Sequence, residues 1–340
     1  MTKEFLRTSY SNSQNENDFL SSIIDDEKAV KEMYETSPYP DLGHELKNID
    51  LYLIHIIEDL KKRSKVSFLD VGCGTGHIVA GIAKKHPNWD CYGTDLSRAS
   101  LDIADKLFKK HKLTNVTTFR QSYLEKLPFQ EKSFDVVSAM GTIHHTGDPL
   151  AAMINLKKYI KDDGYMLLHL YGWRCDHKKF DIKEMLTIFE PNLNNYTKRF
   201  EFYDALIKHR KGRWVKRLAN ISLIDIYVVI KTWWHNFKRR MNKISWSPGW
   251  DANYPEINSP WVDHFCHPCE RAYQVTEVKE LVEKSGFSVL KMLKQGKLNP
   301  RLMPPLWKKY YNGLDQWDQW RLNELLAEGG GSFALILKKI

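Results

Sequence analysis

The chain has 340 residues, 42% of them hydrophobic, so it can bury a sizeable core and lies outside the compositions of disordered and collagen-like proteins. No basic segment followed by an apolar stretch and a cleavage site occurs near Met1, and we therefore expect a cytoplasmic protein without a secretory signal. The five cysteines are scattered along the chain, which favours free thiols over a disulfide framework. The formal net charge is +9, which favours an acidic ligand or surface as a partner.

Residues 1–60 are predicted to form a flexible segment and a helical cap. About 20 polar, Asn- and Ser-rich residues come first, and a helical pattern follows at 25–34. Pro38 and Pro40 then require an extended path, because proline fixes φ and disfavours helix in the residue before it. Residues 51–60 have the broad apolar face of one further helix.

Residues 61–172 alternate between strand and helix patterns and are predicted to form the core. Strands are predicted at 66–71, 89–95, 116–120, 134–140 and 165–171. The run at 134–140 is almost continuously apolar, which is typical of a strand covered on both faces. This alternation predicts an α/β fold with a doubly wound parallel sheet and helices on both sides.

The alternation stops at Gly172 and resumes near Thr276. Residues 173–262 are predicted to be a largely helical insertion that acts as a substrate lid, and residues 263–340 to complete the core sheet. Residues 198–243 contain 13 Lys and Arg against three acids, so this segment is expected to contact an anionic ligand or membrane surface, nucleic acid or an acidic protein, or else to be a solvated helix face. The apolar stretch 218–234 is predicted to be an interfacial helix, or else a buried lid helix or the surface of a homodimer.

A glycine-rich turn after the first predicted strand gives the strongest functional signal. Gly72, Gly74 and Gly76 permit positive φ and let a ligand lie against backbone amides. Asp70 ends the first strand, where it can hold a cationic amino group. Asp95 ends the second, where a carboxylate can accept ribose hydroxyls. The pattern predicts a nucleotide-type site.

These residues resemble the class I S-adenosylmethionine-dependent methyltransferases. The resemblance runs over Asp70-x-Gly72-x-Gly74-x-Gly76, the acid Asp95, segments 127–129 and 133–137, and Ile143-His144-His145. It implies seven strands with an antiparallel last strand, and S-adenosylmethionine as cofactor. The residues it implies for cofactor binding are Asp70, Gly72, Cys73, Gly74, Gly76, His77, Asp95, Leu96, Ser97, Ser122, Tyr123, Met140, Gly141 and His145. One departure is that the third loop, 121–124, lacks the acid that many members place beside adenine.

The catalytic candidates are His144, His145 and Tyr34. Both histidines follow the fourth strand, at the sheet edge where parallel sheets bind ligands, and a histidine there can act as a base. The alternative is a recurrent loop element that hydrogen-bonds backbone around the cofactor. In the family that the chain resembles, aromatic segments like the one around Tyr34 and Tyr39 fold over the pocket as a lid. Packing of the leading helix is the alternative.

A polar cluster at 263–270 provides the candidates for acceptor binding. His264, Cys266, His267 and Cys269 could bind zinc, but they lie within six residues and lack a distant second pair, so no metal is predicted. The residues predicted to bind the acceptor are Tyr39, Tyr171, Asp263, His264 and His267.

The sequence thus predicts a methyltransferase for a small or medium-sized acceptor, acidic or amphipathic in character. The alternatives are methylation of RNA or protein, and a non-catalytic subunit that binds S-adenosylmethionine. An NAD-dependent dehydrogenase is disfavoured by the spacing of the glycines. No nucleic-acid-binding module is recognisable, so DNA is not an expected partner.

Overall fold

A computed structural model describes residues 16–43, 45–122, 126–218, 256–294, 306, 310–326 and 332–340. The chain divides into two compact units, the first made of Met1–His177 and His267–Ile340 and the second of Lys178–Cys266. The division predicted from the sequence, with an insertion at 173–262, stays a prediction.

The first unit contains a seven-stranded sheet in the order β3-β2-β1-β4-β5-β7-β6. Its strands are β1 (Ser67–Val71), β2 (Asp90–Asp95), β3 (Val116–Arg120), β4 (Phe134–Met140), β5 (Ile160–Leu170), β6 (Phe287–Lys294) and β7 (Phe333–Lys339). The first five are parallel, and β7 runs antiparallel to both of its neighbours, β5 and β6. The predicted doubly wound, mostly parallel sheet with an antiparallel last strand is confirmed.

Helices cover both faces of this sheet. They are α1 (Glu16–Thr36), α2 (Asp50–Leu53), α3 (Ile57–Leu60), α4 (His77–Lys85), α5 (Arg98–Lys110), α6 (Pro149–Tyr159), α10 (Val275–Lys284) and α11 (Gln316–Leu326). Successive residues of each strand point to opposite faces, so Phe68 belongs to one buried cluster, with α2 to α5, and Leu69 to the other, with α6 and α10. This double cover explains why β4 is apolar at nearly every position.

Asp135 in β4 shows that part of the sequence motif is structural. Its buried carboxylate accepts hydrogen bonds from the Ser67 amide (2.7 Å) and the Lys161 ammonium (2.8 Å), and it also pairs with Arg63. Burial by itself raises the pKa of Asp135, but these bonds hold it below its ordinary value. Asp135 therefore ties β1, β4 and β5 together near the amino end of β4, away from the edge where ligands bind.

The helices differ from the sequence-based expectation at three places. Helix α1 begins at Glu16 rather than near Asp25, consistent with apolar residues at helical spacing from Phe19 onwards. The single helix expected at 51–60 is instead two short helices, α2 and α3, separated by a turn. Helix α11 was not predicted, and its Glu324 accepts a hydrogen bond from the first amide of α10, Val275 (3.1 Å).

The second unit is helical in its described part, with most of α7 (Trp173–Phe189), α8 (Tyr196–Leu218) and α9 (Ser259–Phe265). Buried Arg199 donates to the backbone carbonyls of Glu190 (2.6 Å) and Phe265 (2.8 Å) and so fastens these helices to one another. Two cations of the basic segment are paired, Lys198 with Glu190 and Lys208 with Asp204.

Several expectations for the insertion fall outside the described residues. The structure does not describe the apolar stretch 218–234 beyond Leu218, the last residue of α8, or the basic residues that follow it. Contact of this segment with an anionic partner therefore stays a prediction. Among the described residues, no helix is both long enough and apolar enough to span a membrane. The described cysteines Cys73, Cys91, Cys266 and Cys269 are buried free thiols, as predicted.

Candidate active site

An open cleft of about 820 Å³ lies in the first unit, at the carboxyl ends of β1, β2 and β4. Open parallel sheets bind ligands at this edge. The predicted site residues that line the cleft are Tyr34, Tyr39, Asp70, Gly72, Cys73, Gly74, His77, Asp95, Leu96, Met140, Gly141 and His145. The lining residues that sequence analysis did not assign to the site are Val30, Pro40, Lys47, Ile78, Ser100 and Thr142.

Glycine is required in the turn after β1 because other parts of the chain pack closely against its backbone. Gly72 and Gly74 have φ values of +63° and +53°, a conformation that residues with a Cβ rarely adopt. A Cβ on Gly72 would overlap the side chain of Thr142, and one on Gly74 would overlap the Tyr39 carbonyl oxygen. The carbonyl belongs to backbone that cannot rotate away, so only glycine fits at position 74.

The segment that approaches Gly74 is a strap made of residues 37–43 and 45–49. The Thr75 hydroxyl donates to the Pro40 carbonyl (2.6 Å), and the Lys47 amide donates to the His77 carbonyl (3.0 Å). The His77 ring also bonds to the Glu45 carbonyl, and burial lowers the pKa of His77, which favours the neutral ring. His77 therefore fastens the strap to the turn that forms the floor of the cleft.

Asp95 joins the turns that follow β1 and β2. One carboxylate oxygen accepts from the Gly74 amide (2.8 Å) and the other from the Ser97 amide (2.9 Å). Burial raises the pKa of Asp95, while these amides favour the ionised form and oppose that rise. A carboxylate offers about four acceptor positions, so Asp95 retains capacity for the hydroxyls of a ligand.

Asp70 is the most unusual charged group of the cleft. It is buried, and its Oδ2 atom has no hydrogen-bond partner among the described residues. Burial raises the pKa of Asp70 to about 7, while a hydrogen bond with Ser138 and the nearby charge of Lys47 oppose that rise. A buried carboxylate oxygen without a partner is costly, and a cationic group of a ligand would compensate it.

An imidazole cluster, formed by His144, His145, His267, Tyr34 and Tyr171, lies beside the cleft. The rings of His145 and His267 stack with 3.9 Å between centroids, and Tyr34 meets the edge of His267 at 5.6 Å. Tyr171 packs on His144 at 4.0 Å. The structure thus brings all three catalytic candidates together with two of the predicted acceptor residues.

Four predicted cofactor residues are not among the residues that line the cleft, and two of them have local structural contacts instead. Gly76 (φ +81°) begins α4, and a Cβ there would lie 2.7 Å from that of Ala104. The Ser97 hydroxyl accepts from the Ser100 amide at the start of α5 and donates to the Tyr34 carbonyl (3.0 Å). Ser122 is buried but does not line the cleft, and Tyr123 lies outside the described residues.

The last two predicted acceptor residues belong to α9 in the second unit. Asp263 is buried, and the His264 ring contacts the Pro260 carbonyl at 2.9 Å within the same helix. Their role in acceptor binding stays a prediction.

Sequence analysis did not predict that Lys47 lines the cleft, and among the lining residues that it missed, Lys47 matters most for the chemistry because it carries a charge. It lies in the strap, in a stretch without a recognisable motif, and only the fold brings its ammonium group near Asp70. Thr142 could have been expected, because it follows Gly141 directly after β4.

Asp70, the glycine turn and Asp95 match the chemical groups of S-adenosylmethionine. The unpartnered Asp70 oxygen suits a cationic amino group, Gly72 and Gly74 line the same cleft without side chains, and Asp95 suits ribose hydroxyls. The described residues therefore fit this cofactor.

Comparison with known proteins agrees with this chemistry. A family model described as a methyltransferase domain matches residues 62–241, more than half of the chain. An uncharacterised methyltransferase of Schizosaccharomyces pombe is 35% identical over 118 residues, which are 33% of this chain and 41% of the relative. A malonyl-[acyl-carrier protein] O-methyltransferase of Halalkalibacterium halodurans is 26% identical over 39% of this chain and 51% of its own length.

A solved structure, PKMT2 from Rickettsia typhi in complex with AdoHcy, has the same fold, with a TM-score of 0.59. It is 16% identical and aligns over 81% of this chain and 49% of the other. The chain spans about half the length, or less, of the curated relatives just described.

The match of the family model, together with the sheet order and the acid and glycine turns of the cleft, shows that the chain belongs to the class I S-adenosylmethionine-dependent methyltransferases.

Proposed function

We propose that this protein binds S-adenosylmethionine in the cleft and transfers its methyl group to a small or medium-sized acceptor, acidic or amphipathic in character. The observation that carries the proposal is the meeting of Asp70, whose Oδ2 atom has no hydrogen-bond partner among the described residues, the Gly72–Gly74 turn and Asp95 at one sheet edge. When bound, the cofactor supplies a methyl carbon already activated by its sulfonium. The protein has then mainly to align the acceptor and exclude water.

Three charged residues would hold the cofactor at its polar ends. Asp70 is suited to the amino group, and Lys47, which lines the same cleft, is suited to the carboxylate of the methionine part. Asp95 is suited to the ribose hydroxyls, because it lies at the end of β2 and is already oriented by two backbone amides.

The imidazole cluster is the proposed acceptor side of the cleft. His145 and Tyr34 line the cleft, and His267 packs against both. The names of similar proteins point to different acceptors, among them malonyl-[acyl-carrier protein], demethylmenaquinone and a release-factor glutamine. These names therefore favour no single acceptor. The acceptor class has to be inferred from the chemistry of the imidazole cluster.

Calorimetric titration of the full chain with S-adenosylmethionine and S-adenosylhomocysteine tests the proposal. Both should bind, and Asp95→Ala should weaken both by at least about tenfold, because charge-assisted hydrogen bonds contribute roughly 1.5–3 kcal/mol. Asp90→Ala is the matched control, since Asp90 begins the same strand and pairs with Lys65 at the surface. An absence of heat with both ligands would overturn the proposal.

A methyl-transfer assay separates an enzyme from a non-catalytic subunit. The chain is incubated with methyl-labelled S-adenosylmethionine and a mixture of small-molecule acceptors. Label in an acceptor supports the enzyme. Tight binding without any transfer across a broad mixture would support the partner-subunit alternative.

A further inference from the structure

Gly81 occupies the middle of α4, a position at which alanine is normally the more favourable residue. Helix interiors disfavour glycine because it loses more backbone freedom on folding than other residues and has no side chain to pack. Gly81 has an ordinary helical backbone, so its own conformation does not require glycine. The surroundings of α4 therefore have to explain why this position suits glycine.

The strap is the part of the chain that lies against Gly81. The Lys47 carbonyl oxygen occupies the place where a Cβ atom on Gly81 would be, and the carbon of that carbonyl is 3.1 Å from the same point. The Lys47 amide donates to the His77 carbonyl (3.0 Å). Because His77 and Gly81 are four residues apart, they lie on one face of α4. The backbone of a single strap residue is thus laid along that face.

Further contacts continue the same row of α4. The His77 ring bonds to the Glu45 carbonyl, and Lys85 in the last turn of the helix pairs with Asp50, the first residue of α2. Lys85 lies four residues beyond Gly81 and therefore on the same face. The strap and the start of α2 thus follow one row of α4, and Gly81 is the position in this row where the backbones come closest.

Lys47 is also the strap residue that brings a positive charge to the cleft. It lines the cleft together with Asp70, and its charge acts on Asp70 against the effect of burial. The strap has a second attachment near its start, where the Thr75 hydroxyl donates to the Pro40 carbonyl (2.6 Å). One attachment therefore holds Pro40 at the glycine turn, and the other, at Gly81, holds Lys47.

We propose that Gly81 is a positioning residue for cofactor binding: because it has no side chain, it admits the Lys47 carbonyl to the surface of α4 and so places the Lys47 ammonium group where it binds the carboxylate of the methionine part. This inference rests on the proposed function, in which Lys47 has that role. Gly81 is not among the residues that line the cleft, so it acts through the strap. The ligands selected in this way are nucleosides that carry a free amino-acid carboxylate.

A methyl group at position 81 would favour the helix and displace the strap. Real Cβ atoms do not approach other heavy atoms within 3.0 Å, and the blocking atom belongs to backbone that cannot rotate away. A displacement on the order of 1 Å would already break the hydrogen bond from the Lys47 amide to the His77 carbonyl. Lys47 would then lose its fixed position, whereas the attachment at Pro40 and the site at Asp95 would remain.

The first test compares two ligands in calorimetric titrations of the full chain. In Gly81→Ala, binding of S-adenosylhomocysteine should weaken by about tenfold, because a charged hydrogen bond is lost, and binding of 5′-methylthioadenosine should change by less than about threefold. Gly313→Ala is the matched control, since its Cβ would be at an ordinary 3.5 Å from the Tyr310 carbonyl oxygen, and it should alter neither affinity. Unchanged binding of S-adenosylhomocysteine in Gly81→Ala, or equal weakening of both ligands, would overturn the proposal.

A double-mutant cycle separates positioning of Lys47 from a general structural role. If Gly81 acts through Lys47, the double variant Gly81→Ala with Lys47→Met should bind S-adenosylhomocysteine no more than about twofold more weakly than Lys47→Met alone. Additive losses would show that Gly81 contributes to binding by another route, and they would contradict the proposal.

A measurement on the native protein covers the case in which Gly81→Ala does not fold. In the ligand-free full chain, hydrogen exchange should show a protected Lys47 amide, because the strap is bound to α4 before the ligand arrives. Exchange at the rate of an unstructured peptide would overturn the proposal. Failure of the proposed function has a different signature, since the native protein would then give no heat with S-adenosylhomocysteine, or Lys47→Met would bind both ligands as the native protein does.

Discussion

The proposed cofactor side and the proposed acceptor side of the cleft are built in different ways. On the cofactor side, Asp95, the last residue of β2, bonds to the Gly74 amide, 21 positions away, in the turn after the adjacent parallel strand β1. On the acceptor side, His145 bonds to Cys269 across 124 positions, and Tyr34 comes from the helix that precedes the sheet. One side is a local strand–turn–helix motif. The other exists only when distant segments meet.

The two sides also differ in charge. Asp70, Asp95 and Lys47 place ionisable groups around the glycine turn, and the buried Asp70 oxygen lacks a partner among the described residues. The proposed acceptor side carries the imidazole rings of His145 and His267, each bonded through Nδ1 to the backbone of Cys269, and the ring of Tyr34. This contrast agrees with the proposal that one side binds the charged cofactor and the other the methyl acceptor.

The largest expected effect comes from a methyl group on the glycine turn. Gly74→Ala should destabilise the protein by about 3 kcal/mol or more and abolish cofactor binding, because the new Cβ overlaps the Tyr39 carbonyl and the φ of +53° is unfavourable for alanine. Gly141→Ala is the matched control. Its φ is +84°, but its Cβ would meet no described atom within 4 Å, so only about 1 kcal/mol of backbone strain is expected. Equal losses in chemical denaturation would show that contact with the strap is unimportant.

The Asp70→Asn variant should change the unfolding free energy and the cofactor affinity with opposite pH dependences, so the two effects can be distinguished. With a pKa of about 7 against an ordinary 3.8, folding favours the neutral carboxyl of Asp70, and the stability contributed by this preference is complete below about pH 4 and lost as the pH rises through 7. Asparagine stays neutral. We therefore expect the ligand-free variant to exceed the native protein in unfolding free energy by about 2–4 kcal/mol at pH 8, and to match it near pH 4.

Cofactor binding should respond in the opposite direction, because the cationic amino group needs an ionised Asp70. Affinity of the native protein for S-adenosylhomocysteine should fall about tenfold from pH 8 to pH 6, and Asp70→Asn should bind weakly at both pH values without this dependence. Calorimetry at the two pH values measures it. A native affinity that does not change with pH would contradict the role of Asp70.

Lys47→Met tests whether the strap contributes a charge to the cofactor side. We expect binding of S-adenosylhomocysteine to weaken by about 10-fold or more, since a charged hydrogen bond to the carboxylate is lost. Binding of 5′-methylthioadenosine, which lacks the amino-acid part, should not change. Lys84→Met removes an exposed lysine from α4 and serves as control. Equal weakening of both ligands would indicate a collapsed cleft rather than a lost contact.

The smallest expected effect concerns the attachment of α1. The Glu35 carboxylate accepts from the amides of Arg98 and Ala99 at the start of α5, 2.8 and 2.9 Å away. Burial alone raises the pKa of Glu35, but these amides lower it below its ordinary 4.5, so its stabilisation is present above that value and is lost as the pH falls through the depressed pKa. Glu35→Gln should lower the unfolding free energy by about 0.5–1 kcal/mol at pH 7.

The difference between Glu35→Gln and the native protein should disappear in acid. Glu58→Gln, at an exposed position paired with Lys61, is the control and should change stability little at any pH. A persistent difference at low pH would show that the capping charge is not the cause.

The sheet, the cofactor and most residues of the proposed cofactor side could be predicted from sequence patterns. Alternating apolar runs define β1 to β5, and Asp70, Gly72, Gly74 and Asp95 are recognisable because strand, turn and helix place neighbours in sequence beside each other in space. In contrast, the position of Lys47 in the cleft and the contacts of the Cys269 backbone with both His145 and His267 are seen only in the folded chain. Such contacts leave no periodic or local signal, because they depend on where distant segments of the chain pack after the sheet has formed.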